Sequence, residues 1–290
     1  MKTKLLLFIL LFAVFFCACK KKETPIPATP NNPTPTPDTS LQACSDYALC
    51  VEYFTEMQLI SNQASKGSVS SFKNIHNENI LSSCAAVIFD TLNPADFDSI
   101  AVDFGSVNCL CGDGRYRRGK IYIVLQGGKK YWDSLTVATI ATQSPNNYFV
   151  NDNQVNGPVY TTNKGHDSAG YLNWDVSIFG QIIKANSQDT IALAANFNNK
   201  WIAGESTALW MDDKHSITGS ANGTSSDGNP FTVAITSALV KDISCRWFTA
   251  GTADITPAGK AIRHIDYGTS VCDNNMNITI GGNTYTVTLP

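Results

Sequence analysis

MNITIGGNTYTVTL, residues 276–289, is two alternating runs hinged on Gly281-Gly282. Ile278 and Ile280 share one face before the hinge, and Tyr285, Val287 and Leu289 share one face after it. Alternation with period two on both sides of Gly-Gly reads as a β-hairpin, because glycine takes the positive φ of a two-residue turn without strain. The same texture runs back through the chain. GKIYIVLQGGKKYW (119–132) reads as strand, Gly-Gly turn, strand; SLTVATIAT, NYFVNDNQVNGPVYTT, YLNWDVSIFGQIIKA and DTIALAANF continue it. Thr and Ser at many alternate positions imply sheets with one solvated face, the habit of antiparallel meanders. No strand–helix alternation occurs, which argues against a parallel α/β fold. The expected fold is mainly β: an antiparallel meander of about a dozen or more strands, forming a sandwich or a curved open sheet.

Residues 41–66 break this texture. Ala43, Tyr47, Cys50, Val51, Phe54, Met57 and Ile60 recur at spacings of three and four, so the segment is expected to be an amphipathic helix packing its stripe on the domain.

An internal duplication organises the region 84–290. Ser83-Cys84 is followed by Asp103-Phe104-Gly105, three residues and Cys109; Ser244-Cys245 is followed by Asp266-Tyr267-Gly268, three residues and Cys272. Gly-Gly hairpins follow at 127–128 and 281–282, giving repeated units near 83–135 and 244–290. In an oxidising compartment, cysteines at equal stations of a repeat pair within each unit, as Cys84–Cys109 and Cys245–Cys272. Loops of this size stabilise by roughly 3–4 kcal/mol by the chain-entropy argument. Asp-aromatic-Gly then reads as a strand end with a buried ring and a glycine turn. It is no kinase metal site, since no Gly-rich loop or catalytic loop accompanies it. Cys44, Cys50 and Cys111 remain. One option joins Cys111 to Cys44 or Cys50; the other is a soft-metal site, which their spacing suits poorly because zinc knuckles are closer and doubled. No metal and no cofactor is assigned.

The N-terminus supplies the address. Lys2 and Lys4 precede twelve apolar residues, Leu5 to Phe16, fewer than the about 20 that span a bilayer. Phe16-Cys17-Ala18-Cys19 resembles the lipobox of bacterial lipoproteins, which makes 1–18 a signal peptide and Cys19 the lipidated residue. Several acyl chains at about 0.8 kcal/mol per buried CH2 make a stable membrane anchor. Lys20, rather than an aspartate, follows the cysteine, which favours the outer membrane, on its periplasmic or its cell-surface face. Residues 19–40 are a Pro/Thr-rich tether, too poor in apolar residues to fold.

Composition narrows the function classes. The formal net charge is -3, and losing Lys2 and Lys4 makes it -5. No basic run follows Lys20–Lys22, so nucleic acid is excluded as a partner. His76, His166, His215 and His264 have no metal-ligand spacing, and GHDSAG (165–170) lacks the glycine of a nucleophile elbow. NDNQVNG (151–157) reads as a hairpin turn, since a calcium loop would need glutamate where Asn163 stands. Trp132, Trp174, Trp201 and Trp210 are candidates for stacking on a ligand, with core packing the default for residues in strands. Asp-(Ser/Thr)-apolar triplets occur five times, where about one is expected from average composition. They resemble the O-glycosylation acceptor of exported Bacteroidota proteins and nominate Thr91, Ser99, Ser134, Ser168 and Thr190.

DGRYRRGKI, YFVNDNQVNG, SITGSANGTSSDGN, SCRWFTAGTADITPAGK and IDYGTSVCDNN…GGNTYTVTL resemble an uncharacterised family of Bacteroidota cell-envelope lipoproteins, over about 84–290. The resemblance implies an all-β exported domain and transfers no catalytic residue. The expected function is a non-enzymatic cell-envelope lipoprotein, an adhesion, scaffold or ligand-binding module. Its alternatives are a surface glycan-binding protein and a pilin-like structural subunit. Its partners would be the membrane, through the lipid, and a glycan or an envelope protein.

Overall fold

The computed structural model describes residues 38–66, 81, 85–89, 99–127, 129–142, 147–207 and 209–290. The expected signal peptide, Cys19, Cys84, Thr91 and Gly128 lie outside the described residues.

One helix and seventeen strands make up the described chain. The helix is α1 (Gln42–Lys66). The strands are β1 (Ala86–Phe89), β2 (Ser99–Asp103), β3 (Cys109–Leu110), β4 (Tyr116–Arg118), β5 (Lys120–Leu125), β6 (Val137–Ala141), β7 (Tyr148–Val150), β8 (Asn153–Asn156) and β9 (Val159–His166). Longer ones follow: β10 (Leu172–Ile183), β11 (Thr190–Ala203), β12 (Lys214–Thr224), β13 (Pro230–Asp242), β14 (Phe248–Pro257), β15 (Arg263–Thr269), β16 (Asn275–Ile280) and β17 (Asn283–Thr288). All pairings are antiparallel. The main ladder runs β1–β2–β5–β6–β9–β10 and then in chain order to β17. Among the described residues no pairing joins β17 back to β1, so the sheet is open and the sandwich alternative falls away.

The sheet forks at β10. Leu172–Ile178 pair with β9, while Gln181–Ile183 pair with β8, which continues to β7, β4 and β3. Gly157 lies at the fork, where a Cβ would stand 2.3 Å from the Phe179 carbonyl oxygen, so only glycine fits.

Turn chemistry sets the hairpins. Gly281 and Gly282, at φ 55° and 87°, join Ile280 to Asn283. Asn151 and Asp152, at φ 47° and 65°, do the same between Val150 and Asn153, since short polar side chains tolerate left-handed backbone. The third expected hairpin differs. No strand forms at 129–132; the return strand, β6, begins at Val137. Tyr131 instead turns into the core and donates to Asn62 Oδ1 at 2.6 Å, and Trp132 packs against Trp174. Burying the Tyr131 ring and half of Trp132 outweighs a few more ladder hydrogen bonds.

Both Asp-aromatic-Gly elements have one local structure. Asp103 Oδ1 accepts from Gly105 N and Asp266 Oδ1 from Gly268 N, each at 2.8 Å. Phe104 and Tyr267 are buried, and Gly105 and Gly268 have φ of 80° and 93°. Cys245 and Cys272 are bonded, with Cα atoms 5.6 Å apart. Cys109 is disulfide-bonded to a residue outside the described ones. Cys44 and Cys50 are buried thiols, so neither ties α1 to Cys111.

The helix departs most from expectation. Its apolar stripe packs on the sheet, but its other face is enclosed too: 21 of its 25 residues are buried. A large twisted sheet coils, and this one curls until β2, β6, β9, β10, β11 and β14 all touch α1. The fit is close at Gly180, where a Cβ would stand 2.1 Å from Phe54 Cζ.

Candidate functional site

Enclosing a helix that carries Asp46, Glu52, Glu56, Gln58 and Asn62 requires polar partners on the inward strand positions. Arg117 supplies the most. It is fully buried, donates to both oxygens of Asp113 at 2.7 and 2.6 Å, to Glu56 Oε2 at 2.8 Å and to the Tyr148 hydroxyl at 3.1 Å. Arg115 pairs with Glu56 and, at 3.4 Å, with Glu52; Lys241 pairs with Glu52. Asp46 takes Lys184 at 2.6 Å and the Ser226 amide at 2.7 Å, and Asn199 donates to Gln58 at 2.8 Å. Burial pushes Arg115 down to about 10 and Lys241 below the usual lysine range. Burial would raise Asp113, but the Arg117 charge and hydrogen bonds hold it below the usual carboxylate range. Glu52, Glu56 and Asp113 balance Arg115, Arg117 and Lys241 here, with no side chain of the six more than 10% exposed. This cluster holds the helix, and of these six side chains Asp113 lines a cavity, of about 360 Å³.

A face open to a ligand lies on the solvent side of β10–β14. There a groove of about 780 Å³ crosses five strands. Register places Phe179, Ala194, Asn222, Thr232 and Thr256 in one cross-strand row on the outward face. Gln181, Ala192, Thr224 and Pro230 form the next row. At the usual strand spacing the first row spans about 19 Å. Ala192 and Ala194 sink the floor, because a methyl stands where most outward positions carry longer side chains. Phe179, 56% exposed, walls one end, its ring 6.1 Å from that of Tyr160. Every described residue lining the groove is uncharged. The groove was missed in the sequence, yet DTIALAANF carries its signal: alanines in the outward phase of a strand.

The candidate tryptophans do not form an exposed row. Trp174 and Trp201 are 1% exposed and Trp210 is 7% exposed, which corrects their assignment as stacking platforms. They pack together with Trp132 and His215. Trp201 lies parallel to Trp210 and near-parallel to His215, at centroid distances of 6.3 and 5.6 Å. Strand alternation puts Trp174 of β10 and Trp201 of β11 on the inward phase, while Trp210 packs in from the turn between β11 and β12; ring burial there stabilises the core. Trp132 alone is half-buried, and lines a cavity of about 450 Å³ beside the end of α1. His166 and Glu205 meet at its rim, Nε2 to Oε1 at 2.8 Å.

Of the candidate acceptors, Ser134, Ser168 and Thr190 are exposed and Ser99 is half-buried at the start of β2. Intact-mass measurement of protein from its native host should show hexose-scale additions beyond the acylated mass. A single unglycosylated, lipidated mass would remove these residues from consideration.

Fold and site together define a helix-filled, open antiparallel sheet with a ligand-sized groove on its outer face. No protein-family model, curated protein or solved structure matches the chain.

Proposed function

We propose that the protein is a non-enzymatic, lipid-anchored module of the outer membrane that binds a neutral glycan chain in the β10–β14 groove. The uncharged lining carries this reading. A charged ligand would be desolvated there with no counter-charge. A neutral glycan finds what its surface needs: amides at Asn156, Gln181 and Asn222 for hydroxyls, and the Phe179 ring for a C–H face. The row's length of about 19 Å suits a chain of several sugar rings. The lipobox resemblance at Cys19 and the extended tether support a domain held some tens of Å from a membrane, at about 3.1 Å per residue. Against catalysis, Glu205 is the only carboxylate among the described residues lining the Trp132 cavity, whereas glycoside hydrolysis generally uses two.

Affinity electrophoresis of the mature protein through neutral and acidic polysaccharides tests the reading. Neutral polymers should retard it and acidic ones should not. Ala194→Trp, outward-facing and so tolerated by the core, should fill the groove. Phe179→Ala should remove the anchor, and each should weaken retardation by at least about tenfold. Unchanged retardation in both variants would rule the groove out.

A further inference from the structure

We propose that the cavity at the end of α1 is a binding site for a small organic cation with an ammonium head, and that Lys66 is its tethered internal occupant. The inference is independent of the groove, with which the cavity shares no lining residue. Lys66 is the last residue of the helix, and its Nζ stands 4.1 Å from the Trp132 ring centroid and 4.9 Å from that of Trp201. Both distances are inside the about 6 Å over which an indole face attracts a cation. The two rings are tilted by 45° with centroids 6.1 Å apart, and the ammonium lies within reach of both, on the side where Trp132 lines the cavity. Both rings are held rigidly. Trp201 stacks on Trp210 and on His215 at 6.3 and 5.6 Å, and Trp132 is set edge-on against Trp174 at 6.0 Å.

Around this point the cavity has the remaining parts of an ammonium site. Leu172 and the Trp132 ring meet methyl or methylene groups, and Glu205 places a carboxylate at the rim, oriented by His166. Its volume of about 450 Å³ falls within the usual range for small-molecule pockets. An anion would have to draw the Lys66 ammonium off two rings and then face Glu205. A cation replaces the lysine in kind. Lys66 is half-buried at a helix end, where its long stem can swing outward. The apparent affinity for an outside cation is therefore reduced by the fraction of time Lys66 lies against the two rings.

Choline is the probe, with 3,3-dimethyl-1-butanol as its uncharged isostere, titrated into the full chain by calorimetry and followed by tryptophan fluorescence. Choline should bind the Lys66→Gln variant about tenfold more tightly than the unaltered protein. The isostere should bind neither, and Glu205→Gln should weaken choline by several-fold in either background. Glu205 is on the rim, so this second variant keeps the test valid should Lys66→Gln fold poorly. The proposal is overturned by equal binding of choline and its isostere, by no choline binding to a folded Lys66→Gln protein, or by saturation with acetate in place of choline.

Discussion

Replacing Arg117 with methionine should destabilise the fold by about 3–5 kcal/mol, seen as a lower urea midpoint with little change in slope. The guanidinium is fully buried and satisfies three groups at once: both oxygens of Asp113, one of Glu56, and the Tyr148 hydroxyl. Methionine fills similar volume and returns none of these bonds. Asp113 and Glu56 would then be left buried with less than their countercharge, and that loss, rather than the pair's own attraction, sets the size of the effect. Arg117→Lys should fail almost as badly, since a point charge cannot reach all three partners in the planar fork arginine presents. Adding Glu56→Gln to Arg117→Met should restore part of the loss by removing one stranded charge. Lys164→Ala is the contrast. Its pair with Asp175 at 3.2 Å is 44% and 58% exposed, and its removal should cost under about 1 kcal/mol. Equal midpoints for Arg117→Met and Lys164→Ala would mean that water reaches the cluster.

The strands were legible because each carries its own evidence, in alternation and in turn residues. Asn151-Asp152 and Gly281-Gly282 fix registers locally, without help from the rest of the molecule. The helix was legible as a helix for the same reason, but its enclosure was not. Seven apolar residues at helical spacing describe one buried face, and say nothing about whether a sheet closes over the other. The missing sign was present in the strands. Asn199 stands in phase with Ile191, Leu193, Ala195, Phe197 and Trp201; Lys241 follows Leu239 by two; Arg263 precedes Ile265 by two and Tyr267 by four. A polar residue on an inward phase needs a polar partner inside: α1 meets Asn199 with Gln58 and Lys241 with Glu52, and Asp38, just before the helix, meets Arg263. Trp174 and Trp201 illustrate the same rule from the apolar side, since their strand phase already put them in the core. The groove depends on five strands lying in register, which no single segment encodes, and only the outward alanines hint at it. The return strand mistaken at 129–132 was lost to a tertiary contact, Tyr131 with Asn62, that lies 69 residues apart in the chain.

Above about pH 10 the fold should unfold steeply, because so many of its buried acids must stay protonated. Tyr47, Tyr53, Tyr131, Tyr148 and Tyr267 are raised above the ordinary tyrosine value by burial, Tyr148 to about 12. Cys44, pushed up by burial to about 12, and Cys50, raised for the same reason, behave alike. Each group keeps its proton in the folded chain and releases it in the unfolded chain, so its contribution is complete below the unfolded value and is lost as pH rises toward the folded one. Two buried bases act in the opposite direction. Burial lowers Arg115 to about 10 and also lowers Lys241, so the folded state sheds those protons first and gains relative stability over part of the same range. Seven groups against two leave a net of about five protons, or about 7 kcal/mol lost per pH unit where all titrate together. A domain with a typical stability of about 5–15 kcal/mol has no more than one or two such units to spare. Circular dichroism and phenolate absorbance, followed together in an alkaline titration of the full chain, check this. The buried half of the ten tyrosines should ionise in one cooperative step that coincides with loss of the β-sheet signal. Smooth ionisation of all ten with the sheet intact would show that water reaches the rings around α1, and that the helix is not enclosed as its neighbours require.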